Sequence, residues 1–201
     1  MATWNDLLDQ AQGGEHLVHL YGEDDGLLAR HVSRYLAEGV RRGDGLVVIA
    51  TPEHARAIRR QLGEGDPAVS AAVQSGRLLF LDARETLDRF MVNGEPDRAR
   101  FERIVRGVLR DVRAASSSGR VRAFGEMVAL LWDAGRQDSA AALEQYWNGL
   151  LDDGSFSLFC AYPLDVFSPD ADLPGIEVVF REHSHMCAGP GTMLTRQRPG
   201  S

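Results

Sequence analysis

Leu17-Val18-His19-Leu20-Tyr21-Gly22-Glu23-Asp24-Asp25-Gly26 is an apolar run, a glycine-bounded turn and the opening of a helix, and its reading decides the fold. Leu27, Leu28, Val32, Tyr35 and Leu36 continue the pattern at helical spacing. A strand, a tight turn and a helix in this order form the layout of a phosphate-binding loop. A working loop, G-x-x-x-x-G-K-[ST], cradles phosphates with backbone N–H groups and neutralises them with the lysine ammonium. Here Gly26 is followed by Leu27-Leu28, three carboxylates fill the turn, and all 22 basic residues of the chain are Arg. In a partly desolvated site each close pair of like charges costs on the order of several kcal/mol, so this turn repels a triphosphate. The stretch reads as a nucleotide-hydrolase layout turned to another use.

Working outward, apolar runs alternate with helical patterns, which predicts an α/β fold with a mostly parallel central sheet flanked by helices on both faces. The expected strands are Leu17–Tyr21, Leu46–Ala50, Arg77–Asp82, Val121–Gly125 and Ser155–Tyr162. The first helix runs from about Asp24 to Arg42 and stops at Gly43, and Thr51-Pro52 and Asp66-Pro67 each read as an N-cap followed by proline in the first helical position. Pro96 is read as opening a long helix with Phe101, Ile104, Val105, Val108, Leu109 and Val112 at helical spacing. Asp138 or Ser139 begins another, carrying Leu143, Trp147, Leu150 and Leu151, and Ile176 to Met186 reads as a last helix. The expected organisation is an N-terminal segment over 1–15, one domain over 16–187 and a mobile tail over 188–201.

A chain of 201 residues with 44% hydrophobic content suits one domain with a real core. Its net charge of −7 argues against direct nucleic-acid binding and against an anionic membrane surface. Neither a basic n-region with an apolar core nor a long apolar window is present, so the expected location is cytoplasmic. Cys160 and Cys187 are too few for a disulfide framework.

In an open parallel sheet, ligands bind where loops leave the carboxyl ends of the strands and meet helix N-termini. That rule picks Tyr21 to Asp25 after the first strand, Thr51 and His54 after the second, Asp82 and Arg84 after the third, Gly125, Glu126 and Met127 after the fourth, and Cys160, Tyr162 and Pro163 on or after the fifth, a polar rim around an apolar floor. Glu144 and Asn148 share a helix face with Trp147, where carboxylate and amide are costly to bury unpaired, so they either satisfy strand ends or touch a ligand. Tyr21, Glu126 and Tyr162 are the preferred pocket residues, with Asp24, Thr51, His54, Glu144 and Asn148 beside them. No catalytic residue and no cofactor is assigned: without the lysine, and with no Ser or Thr for magnesium, hydrolysis lacks two of its parts.

Six short segments in order resemble one family. They are His16–Tyr21, Tyr35–Asp44, Val47–Thr51, Gly125-Glu126-Met127, Leu143–Asn148 and Phe159-Cys160-Ala161-Tyr162-Pro163. The resemblance is to the MEDS domain, a methanogen/methylotroph sensory module similar in layout to RecA/KaiC-type ATPases, and it spans about His16 to His185. It implies a three-layer signal-input domain that senses a small organic molecule and is found fused to DNA-binding or histidine-kinase modules. The short stretch after the last helix is too small for either output domain. The expectation is therefore a stand-alone sensor that acts on a regulatory protein partner, with a homodimer as another outcome. The Pro- and Asp-rich segment from Ser168 to Gly175, with the helix that follows it, is the expected moving part.

Two other readings stay open. A nucleotide-binding regulator is one, with Arg30 or Arg84 in place of the lysine. A metal- or haem-linked sensor is the other, built on His183, His185 and Cys187 with Cys160, His16 or His19. On a helix only His183 and Cys187 of that run face the same way, which leaves half a site.

Overall fold

The apolar runs become strands because residues buried on both faces of a parallel sheet need no alternation. In the computed structural model, which describes residues 3–22, 24–163, 173–188 and 192–195, β1 to β3 and β6 to β8 are parallel and every described residue of β1, β2, β6 and β7 is buried. The first half runs α1 (Trp4–Gln10), β1 (His16–Leu20), α2 (Asp25–Arg42), β2 (Gly45–Ala50), α3 (Pro52–Gly63), α4 (Pro67–Gln74), β3 (Leu78–Asp82) and α5 (Ala83–Asp88). A small hairpin, β4 (Met91–Val92) and β5 (Glu95–Pro96), leads into α6 (Arg98–Ala114), β6 (Val121–Gly125), α7 (Met127–Asp133), α8 (Gln137–Leu151) and β7 (Phe156–Tyr162). The chain closes with α9 (Leu173–Glu182), β8 (His185–Ala188) and β9 (Thr192–Thr195).

The sheet order is β3-β2-β6-β7-β1-β8-β9, with β9 antiparallel at the edge. Helices α1 to α4 cover one face against Leu17, Val48, Phe124 and Phe159. Helices α5 to α9 cover the other against Val18, Val47, Ala123 and Leu158, giving three layers. On that second face Phe101 and Trp147 meet edge to face with ring centres 5.0 Å apart. Truncating a buried aromatic of this kind costs about 3–5 kcal/mol.

Helix starts follow the expected capping chemistry. Asp24, Thr51 and Asp66 cap α2, α3 and α4 with side-chain oxygens, and Gly43 ends α2 in the left-handed region at φ 76°. Pro96 is a correction: it lies in the β4–β5 hairpin, and Asp97 caps α6 by accepting the Arg100 N–H at 2.8 Å. The N-terminal segment also holds more structure than expected. Helix α1 is anchored by Arg122, a fully buried strand arginine that pairs with Asp44 at 3.0 Å and donates to the carbonyls of Leu8 at 2.7 Å and Asp9 at 3.0 Å.

The C-terminal reading needs the largest correction. The last helix stops at Glu182, where the His183 ring donates from Nδ1 to the Val179 carbonyl at 2.6 Å and closes the final turn. His185 to Ala188 then pairs in parallel register with Leu17 to Leu20, so β1 is not an edge strand. Residues 192–195, in the expected mobile tail, pair back on β8 as β9. Of the expected moving part, 168–172 lies outside the described residues and Leu173–Gly175 begins α9. No described helix is long and apolar enough to cross a membrane.

Candidate functional site

At the carboxyl edge of the sheet, β6 ends and delivers Glu126, which is buried at the start of α7. One carboxylate oxygen accepts the Thr51 backbone N–H where β2 becomes α3, and the other faces His54 Nδ1 at 2.6 Å. The second ring nitrogen, Nε2, lies 3.4 Å from Asp25 Oδ1 on α2. An imidazole between two carboxylates holds its proton. The hydrogen bond to Glu126 outweighs partial burial and carries His54 up to about 9, so it is an imidazolium at neutral pH. Tyr21 stands edge-on to the His54 ring at 6.0 Å, and burial with Glu126 and Asp25 nearby pushes its phenol well above the usual range.

This group borders a crevice of about 710 Å³ lined by Asp25, Thr51, Pro52, His54, Asp82 and Arg84 among others. Most of the side chains around it are charged, the polar rim expected for a strand-end pocket. Asp24 accepts the Leu27 N–H at 2.8 Å, so the start of α2 is satisfied by a carboxylate of the chain itself. Arg30 lies 4.0 Å from that same carboxylate, and Arg84 borders the crevice.

A second polar cluster lies under the face covered by α8 and α9, toward the amino edge of the sheet. Glu144 of α8 accepts the Tyr162 hydroxyl at 2.6 Å, and its oxygens are 3.5 Å from His16 Nε2 and 3.4 Å from His183 Nε2. Cys160 Sγ is 3.3 Å from His16 Nε2 and 3.9 Å from Glu144. Asn148, one turn after Glu144, faces His16 Nδ1 with its carbonyl at 2.8 Å and donates to Glu182 at 3.0 and 3.1 Å. All four of His16, Glu144, Cys160 and His183 are buried. Burial, with His183 adjacent, holds His16 down near 3, so it is neutral. Burial opposes ionisation of Glu144, yet His183, His16 and the Tyr162 hydroxyl bring its carboxyl down to about 2. Burial and the Glu144 carboxylate push the Cys160 thiol well up.

The family described as the methanogen/methylotroph, DcmR sensory domain (MEDS) matches residues 15–183. The chain belongs to the MEDS family. Among solved structures, a KaiC-like protein, PH0186 from the hyperthermophilic archaeon Pyrococcus horikoshii OT3, is similar at 16% identity and a TM-score of 0.55, over 93% of this chain and 81% of that one. At that identity the likeness establishes the fold alone, a KaiC-like three-layer α/β architecture. No curated protein matches the sequence.

Within this MEDS domain the eight sequence-selected residues divide between the two clusters. Tyr21, Asp24, Thr51, His54 and Glu126 gather at the carboxyl edge. Glu144, Asn148 and Tyr162 belong to the buried cluster, so Tyr162 does not share a wall with Tyr21 and Glu126. The His183-x-His185-x-Cys187 run does not converge either. Only His183 enters the cluster; His185 lies 3.9 Å from Glu15, and Cys187 packs on the opposite face of the sheet. His19 also faces that opposite side, where its ring lies 4.6 Å from His31. Asp25, Asp82 and Arg84, also strand-end positions by the sequence rule, line the crevice, with Asp82 capping α5, whereas Glu182 had no signal in the sequence.

Proposed function

We propose that this MEDS domain is a non-enzymatic signal-input module that binds a small polar organic molecule in the carboxyl-edge crevice. Occupancy shifts a conformational balance read by a regulatory partner, a histidine kinase or a transcription factor. The observation that carries this reading is the placing of His54 at the crevice, with Nδ1 held by Glu126 and Nε2 facing the exposed Asp25 carboxylate. A ligand carbonyl or carboxylate entering the crevice takes the Nε2 proton in place of the exposed Asp25 carboxylate, and the ring that donates it is already oriented by Glu126. A triphosphate is poorly served there, because Asp24 already meets the α2 N-terminus and Asp25 faces His54. For relay, the ligand must favour one state, and a tenfold preference supplies about 1.4 kcal/mol.

A thermal-shift screen of small carboxylates, amides and alcohols, with ATP–magnesium included, tests the proposal. A hit should lose most of its shift in His54→Gln and in Glu126→Gln. Unchanged binding of the hit by both variants would remove the crevice from consideration, and a shift seen only with ATP–magnesium would replace the ligand class.

A further inference from the structure

The buried cluster has a feature that its protein partners do not explain. Asn148 gives both amide hydrogens to Glu182, so its carbonyl faces His16 and the His16 proton sits on Nδ1. The Val179 carbonyl likewise fixes the His183 proton on Nδ1. Both Nε2 atoms therefore point toward the same place, between the Glu144 carboxylate and the Cys160 sulfur. His183 Nε2 is fully buried and faces a Glu144 oxygen at 3.4 Å, an approach that needs a positive charge between the two atoms, which a proton on Nε2 or a metal ion supplies.

We propose that His16, Glu144, Cys160 and His183 form a binding site for a divalent transition-metal ion of the zinc class. Two imidazoles, a thiolate and a carboxylate are a donor set that suits zinc. An ion about 2.0–2.3 Å from each of four tetrahedral ligands places those ligands roughly 3.3–3.7 Å apart. His16 Nε2, Cys160 Sγ and Glu144 Oε2 lie 3.3, 3.5 and 3.9 Å apart, close to that spacing, His183 Nε2 approaches the other oxygen, Oε1, at 3.4 Å, and one ligand atom from each of the four residues lies within 4.8 Å of the rest. Charge balances as well, because thiolate and carboxylate together neutralise a dication in a buried site.

The surroundings are those of a built metal centre. Each histidine is oriented through its other nitrogen, by Asn148 or by the Val179 carbonyl, and Tyr162 hydrogen-bonds the carboxylate. A cavity of about 460 Å³ at the amino edge, bordered by Gly14, His16, Asn148, Glu182 and His183, supplies a path for entry. Binding replaces the Cys160 proton, which leaves to solvent as the thiolate–metal bond forms. With four protein ligands the centre is closed, and it ties β1, α8 and β7 to the connection between α9 and β8.

The test strips the purified chain with a chelator and titrates it with cobalt(II), a coloured substitute for zinc. The result expected is one equivalent per chain, with a near-ultraviolet thiolate-to-cobalt band and intense visible bands of a tetrahedral ion, all bleached by one equivalent of zinc. Cys160→Ser should lose the near-ultraviolet band and bind at least tenfold more weakly, while Cys187→Ser should match the parent. X-ray absorption of the zinc-loaded parent needs no variant and should give one sulfur and three nitrogen or oxygen neighbours. Absence of the bands in the parent, their loss in Cys187→Ser instead of Cys160→Ser, or a first shell without sulfur would each overturn the assignment.

Discussion

The sheet carries a carboxylate–histidine cluster toward each of its two edges, and the two hold opposite charge states. At the carboxyl edge Glu126 faces one histidine that borders an open crevice and is raised to about 9. Toward the amino edge Glu144 faces two histidines under α8 and α9, and His16 is lowered to about 3. The same pair of side chains thus gives an imidazolium in one place and a neutral ligand in the other. The difference lies first in burial, which disfavours charge on His16 while His54 is only partly buried, and then in what the far ring nitrogen meets. His54 Nε2 faces the exposed carboxylate of Asp25, so both nitrogens carry protons. His16 Nε2 faces a buried thiol and shares Glu144 with a second imidazole, so a further proton has nowhere favourable to go. The two proposals rest on this contrast: a polar ligand for the carboxyl-edge cluster and a cation for the other.

Metal addition separates the two most sharply. Zinc at a thousandfold excess over its dissociation constant should stabilise the stripped protein by about 4 kcal/mol. Urea melts with and without zinc read this directly. Glu126→Ala should keep the gain and Cys160→Ser should lose it; equal gains in both variants would show that the ion binds elsewhere.

Removing one partner from each cluster gives the next largest contrast. Glu144→Ala strips a buried network of its anion and should cost on the order of 3 kcal/mol in metal-free protein. His54→Ala removes a charged hydrogen bond at a partly open site and should cost about 1.5 kcal/mol. A larger loss for His54→Ala than for Glu144→Ala, measured by urea unfolding, would reverse the ranking of the two clusters.

The carboxyl-edge cluster was legible in the sequence because its residues follow strands that announce themselves. Thr51-Pro52, Asp24 and Glu126 sit next to continuous apolar runs, and the rule for parallel sheets then places them together. The amino-edge cluster could be read only in part. Glu144 and Asn148 stood out as polar groups sharing a face with Trp147, but His16 and Cys160 are 144 positions apart and only the register of β1 against β7 brings them close. Strand β8 was missed for a related reason. His185-Met186-Cys187-Ala188 lacks β-branched and aromatic residues, and its conformation is imposed by pairing with β1. That error assigned the histidine–cysteine run to a helix and paired His183 with Cys187, whereas the strand turns Cys187 to the opposite face. Arg122 escaped notice because a strand arginine is ordinarily a surface residue, and its partners come from α1, α2 and the loop before β2.

The smallest effect is also the most specific to the carboxyl edge. His54 has a folded pKa near 9 against an ordinary 6.5, so its contribution to stability is complete below about pH 6.5 and is lost as pH rises through 9. Tyr21, held above its ordinary 10.0 by burial and the nearby carboxylates, keeps its proton through this window and does not mask the effect. Partial exposure screens the charges, so the loss between pH 6 and pH 10 should be on the order of 1 kcal/mol. Urea midpoints of the parent and of His54→Gln at both pH values isolate it: the gap between the two proteins should narrow on going to pH 10. A gap of constant size would mean that folding leaves the His54 pKa at its ordinary 6.5, and the crevice would then present a neutral ring to its ligand above about pH 7 in place of a cation.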